Sequence, residues 1–160
     1  MVRLWDVGTG RANGEGLIGH HGAVTGVGWS PDGSRLASVG WDGTLRLWDA
    51  AAHRALGGPI DIHRHLLLMV AWSPDGRSLA AGDSGGQVWV WNAGTRRAVA
   101  RFADEGPSHS VEALAWAPAG GQLLWVESGT VQGWDRTTGA RAAVAARSGA
   151  GALAWSIPAR

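Results

Sequence analysis

The chain has 160 residues at 16.6 kDa, 45% of them apolar and 17% charged, with 14 basic residues against 13 acidic for a net charge of +1. That is enough apolar material for one packed domain and too little charge for a disordered chain. The absence of cysteine excludes disulfides and thiolate metal sites, and 26 glycines argue against long helices.

Taken in chain order, the residues read as short strands separated by turn signals. Val2–Asp6 opens the chain as a strand and Gly14–Ile18 follows as its neighbour. Val24–Trp29 precedes a Ser-Pro-Asp-Gly turn, Arg35–Val39 follows it, and Asp42-Gly43 is a hairpin signal leading into Thr44–Trp48. A weaker strand spans Arg54–Ile60. The same order returns as Leu67–Trp72, Ser78–Gly82, Gln87–Trp91 and Arg97–Phe102. It returns again as Val111–Trp116, Gln122–Glu127, Thr130–Trp134 and Ala140–Ala145, and Gly151–Ser156 reads as one last inner strand.

An internal repeat explains this order. Tryptophan is the middle residue of a Leu-Trp-Asp-like triplet at Trp5, Trp48, Trp91 and Trp134, each interval being 43 residues. A second series stands at Trp29, Trp72, Trp116 and Trp155, with intervals of 43, 44 and 39. Four antiparallel strands per period make the unit of a propeller blade, so the expected fold class is all-β. The expected organisation is one repeat domain: a partial blade over 1–19, blades over 20–62, 63–106 and 107–147, and a partial blade over 148–160. The second tryptophan series should lie between blades, where exposure would cost roughly 1.5–3 kcal/mol for each large side chain.

The run from Gly19-His20 through Ser30-Pro31-Asp32-Gly33 to Leu47-Trp48-Asp49 resembles a WD40 repeat. The resemblance implies a structural tetrad of His20, Ser38, Asp42 and Trp48 in the first blade. In the second, only His63 and Trp91 remain, because Ala81 and Gly85 hold the other positions. In the third, Pro107, Leu124 and Ser128 stand at the family's polar positions, leaving Trp134. The resemblance also implies top-face contact positions: Trp41, Ala23 and Thr25, then Ser84, Leu66 and Leu68, then Glu127, Ser110 and Glu112. Trp41 lies outside both tryptophan series and is the sharpest of these, with Leu66 to Met69 as an apolar patch beside it.

At 43 residues per repeat the chain holds about 3.7 repeats. Three arrangements are open: a piece of a longer propeller, two copies sharing an eight-blade ring, or a gapped four-blade ring. The first is favoured, with self-association or another association completing the propeller as its consequence.

His20, Ser38 and Asp42 have the residue types of a hydrolase triad. No nucleophile elbow accompanies them, so they are assigned to the tetrad and no catalytic residue is expected. His63 and His65 lack a third ligand and read as loop, Asp104-Glu105 reads as a solvated tip, and Gly82–Gly86 reads as a hairpin rather than a phosphate cradle. No cofactor or metal is expected. The basic residues are all arginine with no cluster larger than Arg96-Arg97, so no nucleic-acid partner is expected. The longest apolar run, Leu66 to Trp72, falls far short of a bilayer span, and Met1–Asp6 carries no leader-like stretch. The expectation is a cytoplasmic, non-catalytic scaffold presenting loops to a protein or peptide. The alternative is a terminal sensor fragment of a larger signalling enzyme, a kinase or NTPase, with catalysis outside this chain.

Overall fold

The computed structural model describes residues 1–62, 65–103 and 109–146. Among these, all regular structure is β and no helix forms. Three four-position sheets follow one another. The first contains β3 (Val24–Trp29), β4 (Arg35–Gly40), β5 (Thr44–Asp49), β6 (Arg54–Ala55) and β7 (Ile60–Asp61). The second contains β8 (Leu67–Trp72), β9 (Ser78–Asp83), β10 (Val88–Asn92) and β11 (Ala98–Phe102). The third contains β12 (Val111–Trp116), β13 (Gln122–Glu127), β14 (Thr130–Asp135) and β15 (Arg141–Ala146). All pairs are antiparallel, and apart from β5 with β7 they join neighbours in sequence, as blades require.

From Val24 to Phe102 and from Val111 to Ala146, strand positions match the sequence reading to within one or two residues, with one exception. The fourth strand of the first blade is not continuous from Arg54 to Ile60. It is split into β6 and β7, because Gly57-Gly58-Pro59 interrupts it: Gly57 has φ 80°, and proline offers no N–H to the ladder. The N-terminal segment repeats that split. β1 (Trp5–Asp6) pairs β2 (Arg11–Ala12), and Val2 bridges Leu17. Each partner is 43 residues from its counterpart, since Trp48 pairs Ala55 and Leu45 pairs Ile60. The expected strand at Gly14–Ile18 is therefore reduced to a single bridge at Leu17.

Packing between blades is also periodic. Leu45 and Leu47 of the first blade pack with Leu79, Trp72 and Trp91 of the second, with Ile60 alongside. Val88 and Val90 of the second pack with Val111, Leu123 and Trp125 of the third. Gly82 permits the close approach there, since a Cβ at that position would lie 2.6 Å from a Val111 methyl. Trp72 and Trp116 are 8% and 7% exposed, in the inter-blade layers where the second tryptophan series was expected. Trp29 departs from that expectation at 51% exposed, and among the described residues no inner strand pair lies against its side of β3. Trp155 lies outside the described residues.

Candidate functional site

The first blade holds its polar groups in a single hydrogen-bonded chain. Trp48 Nε1–H donates to Ser38 Oγ at 2.8 Å, and Ser38 Oγ lies 2.7 Å from His20 Nε2. His20 Nδ1 lies 2.9 Å from Asp42 Oδ2. An indole can only donate and a carboxylate can only accept, so donation runs from Trp48 through Ser38 and His20 to Asp42. Thr44, which the sequence reading did not include, donates its hydroxyl to Asp42 Oδ1 at 2.9 Å, and the His21 N–H donates to Oδ2 at 2.9 Å. Burial works to raise the Asp42 pKa, but donors from His21, His20 and Thr44 outweigh it and hold the carboxyl well below the usual range.

This arrangement is poorly suited to nucleophilic chemistry. Ser38 is fully buried, and its oxygen is already engaged by the Trp48 indole and the His20 ring. A substrate carbonyl has no path to that oxygen. The four side chains instead tie β4, β5 and the segment before β3 into one unit.

The other blades fill the same place differently. Ala81, fully buried, is the register counterpart of Ser38 in the second blade, since Val27 faces Ser38 and Val70 faces Ala81. His63 lies outside the described residues. In the third blade Leu114 faces Trp125, so Trp125 and not Leu124 occupies the serine position. The shift has a visible source in the sequence: Trp116 and Trp134 are 18 residues apart, whereas Trp29 and Trp48 are 19 apart. The missing residue is in the β13–β14 turn, a two-residue Ser128-Gly129 hairpin with φ of 51° and 69°. Pro107 lies outside the described residues.

The carried-over contact positions are not all brought together. Trp41, 57% exposed, Leu66 and Ser84 line one cleft of about 390 Å³ at the rim between the first two blades, with Asp42, Asp61 and His65. Gly85 stands where the first blade has Asp42; a Cβ there would come within 2.8 Å of the His65 ring, so its absence lets that ring line the cleft. Ala23 is exposed next to Trp41, whose N–H donates to its carbonyl. Thr25, Leu68 and Glu112 share another geometry: each is the extra residue of a β-bulge between the first two strands of its blade. The Thr25 hydroxyl is engaged across the blade junction, donating to the Leu67 carbonyl at 2.6 Å.

Ser110 and Glu112 are exposed on the third blade, away from the cleft. Glu127 is buried within β13, where it pairs Val111 and Thr130. Its register counterparts are Gly40 and Asp83, not Trp41 and Ser84, because of the shortened turn. Of the apolar patch expected from Leu66 to Met69, Leu67 is fully buried and Met69 packs into the core, leaving Leu66 and Leu68.

A second cleft of about 410 Å³ lies at the opposite end of the blades, between the two Ser-Pro-Asp-Gly turns. Asp32 serves its own turn, while Asp75 serves its turn and also holds Arg136 of the third blade. Hydrogen bonds from the Ser30 hydroxyl, then from Ser34, hold the Asp32 carboxyl down to about 2. At Asp75 burial works upward, but Ser73, Arg77 and Arg136 outweigh it and the carboxyl again lies at about 2. No group of three His, Asp or Glu able to hold a metal ion occurs among the described residues. No helix among them is long and apolar enough to cross a membrane.

Residues 14–49 and 62–92 match the family described as "WD domain, G-beta repeat". The chain carries WD40 repeats. A search of the curated proteins finds no match. Solved structures similar to this WD40 chain include the RRP9 WD40 repeats and U3-55K, each at 26% identity and a TM-score of 0.72 over 79% of this chain. The matches cover 39% and 40% of those chains, so this one spans about two fifths of their length. The third blade lies beyond the residues the family matches, in keeping with its replacement of the tetrad. WD40 repeats generally serve as protein-interaction scaffolds, and their propellers are generally non-catalytic.

Proposed function

We propose that this chain is a non-catalytic scaffold that captures a protein or peptide at the rim cleft between its first two blades. The observation that carries this reading is the convergence of Trp41, Leu66 and Ser84 on one cleft beside the rigid tetrad. An exposed indole next to an exposed leucine is the kind of anchor that dominates binding energy when a partner buries it. The acidic groups of Asp42 and Asp61 and the His65 ring supply a polar rim. On this reading the partner is neither nucleic acid nor membrane, and the chain works in the cytoplasm without cofactor.

The test is quantitative capture from the native host by the full chain and by Trp41→Ala. Loss of the partner with unchanged circular dichroism supports the reading. Equal recovery of the partner by both proteins overturns it. A second reading is the terminal sensor of a larger signalling enzyme, with catalysis outside this chain. An open reading frame continuing into a kinase or NTPase domain would decide for it.

A further inference from the structure

The two junctions between complete blades carry different charge at their outer rim. Between the second and third blades a third cleft, of about 370 Å³, is lined by Arg77, Ser78, Asn92, Val99, Trp134 and Arg136. None of these residues lines the Trp41 cleft. All four strand positions of both blades that form it are in place. At the junction of the first and second blades, 43 residues earlier, Ser34 and Ala93 stand where this cleft has Arg77 and Arg136. Arg35 and Asp49 stand where it has Ser78 and Asn92, and each of these two pairs is matched in its ladder. The earlier place thus sets one arginine opposite one aspartate. Here two guanidiniums accompany a hydroxyl and an amide, and no carboxylate lines the cleft.

The apolar part differs as well. At the earlier junction Leu56 packs against the cluster that contains Trp91, which is 2% exposed. Arg96 crosses that rim, donating to the Leu56 and Gly58 carbonyls at 3.1 and 2.9 Å. Gly139 takes the place of Arg96 in the third blade. The N–H of each donates to the residue that opens its turn, Asn92 or Asp135, and both have positive φ, 58° and 74°. Glycine has no arm to send across. Val99, the counterpart of Leu56, is 57% exposed, and Trp134 is half-buried. Arg77 is exposed, and its guanidinium makes no hydrogen bond or ion pair among the described residues. Arg136 gives one nitrogen to Asp75 at 2.9 Å and the other to Ser78 at 3.2 Å.

We infer that this cleft is a docking site for an acidic peptide segment, whose carboxylates engage Arg77 and Arg136 and whose neighbouring apolar side chain lies against Val99 and Trp134. Charge complementarity selects the occupant. A guanidinium carries five N–H donors and no acceptor, and charge-assisted bonds to a carboxylate are the strongest it can make in such a place. Asn92 Oδ1 already accepts from the Gly94 and Thr95 N–H groups at 3.0 and 2.8 Å, which leaves its NH2 end to donate. Asp49 and Asp135 cap their turns in the same way in the other blades, so the second blade has kept the cap and shed the negative charge. Two cationic side chains on an apolar floor suit a short acidic and apolar segment rather than the long phosphate array of a nucleic acid.

The probe is a fluorescent peptide alternating glutamate with leucine, titrated into the full chain and followed by anisotropy at low and physiological salt. Saturable binding that weakens as salt rises is expected. Arg77→Ala should bind about tenfold more weakly, the value of one charge-assisted hydrogen bond. Asn92→Asp keeps the oxygen that caps the turn and adds only charge, so its circular dichroism should be unchanged and its binding weaker by about tenfold or more. Val99→Ser should also weaken binding. Trp41→Ala should bind the peptide as the natural chain does, which separates this site from the rim cleft of the first two blades. Undiminished binding by both Arg77→Ala and Asn92→Asp overturns the proposal, as does the absence of saturable binding. Equal binding of a peptide with glutamine in place of glutamate overturns it too. So does a single-stranded oligonucleotide that displaces the peptide at equal or lower concentration, since the cleft would then serve a phosphate backbone.

Discussion

The first and third blades share one strand order and fill its centre with opposite chemistry. In the first, Ser38 at the middle of β4 is the junction of a buried polar chain, and Trp48 is held by its indole N–H. In the third, Trp125 takes the serine's place and is fully buried. It stacks on Phe102 with centroids 5.1 Å apart, and Trp134 packs on Phe102 and Trp116 at 5.3 and 6.3 Å. The Arg141 guanidinium lies 5.4 Å from the Trp125 ring. One solution gains direction from hydrogen bonds, the other area and dispersion from rings. The blade is thus a container with a fixed outline, and its contents are interchangeable so long as the volume is filled.

The junctions differ too. Between the first and second blades, Trp72 Nε1 donates to the Gly28 carbonyl. Between the second and third, Trp116 Nε1 is buried with no partner among the described residues. An exposed clamp substitutes there, with Arg136 donating to Asp75 at 2.9 Å and to Ser78 at 3.2 Å. We expect the third blade to open more readily than the first.

The largest blow to this comparison comes from Trp125→Ala, which empties the aromatic centre. Denaturant unfolding should register a loss of about 4 kcal/mol, as for other buried aromatic truncations. Ser38→Ala should cost about 3 kcal/mol, because it strands the Trp48 and His20 donors or acceptors in the interior. If Ser38→Ala were instead neutral, the polar chain would contribute no more than an apolar filling would.

Segment-resolved hydrogen exchange sharpens the same contrast, with residues 23–60 expected to exchange more slowly than 111–146. Acid should narrow the gap. Asp42 is held below its ordinary pKa, so its contribution is full above the unfolded value near 3.9 and is lost as pH falls through the folded one. Asp32 and Asp75, each at about 2, put the steepest loss between about pH 4 and about pH 2. The third blade has Ala119 at the corresponding turn position and keeps Asp135, also at about 2. Exchange should therefore rise more steeply with acid in the first blade than in the third, and Asp42→Asn should flatten that dependence. Smallest of all, Trp41→Ala should leave stability within about 0.5 kcal/mol, as expected for an exposed side chain.

Most of the strand map was legible because tryptophan marks two fixed places in each period and Ser-Pro-Asp-Gly or Asp-Gly marks the turns between them. What counting could not show was register. A one-residue deletion in the Ser128-Gly129 turn leaves the tryptophan period nearly intact yet moves Trp125 into the serine position and draws Glu127 inside. Thr44 was missed because its hydroxyl joins the polar chain only once the turn folds it back over Asp42. The divided fourth strand depended on Gly57-Gly58-Pro59, which reads equally well as a strand end. Trp41, Leu66 and Ser84 were each legible, but their convergence required two blades to be set side by side.

The bulges at Thr25, Leu68 and Glu112 leave one residue per blade with no opposite number on the neighbouring strand. Hydroxyl, alkyl and carboxylate already alternate there around one scaffold without altering the order of its strands. At Thr25 the side chain also ties two blades together through the Leu67 carbonyl, so replacement there costs the junction a hydrogen bond. Leu68 and Glu112 are the bulge positions where the surface can change while the strand order stands still.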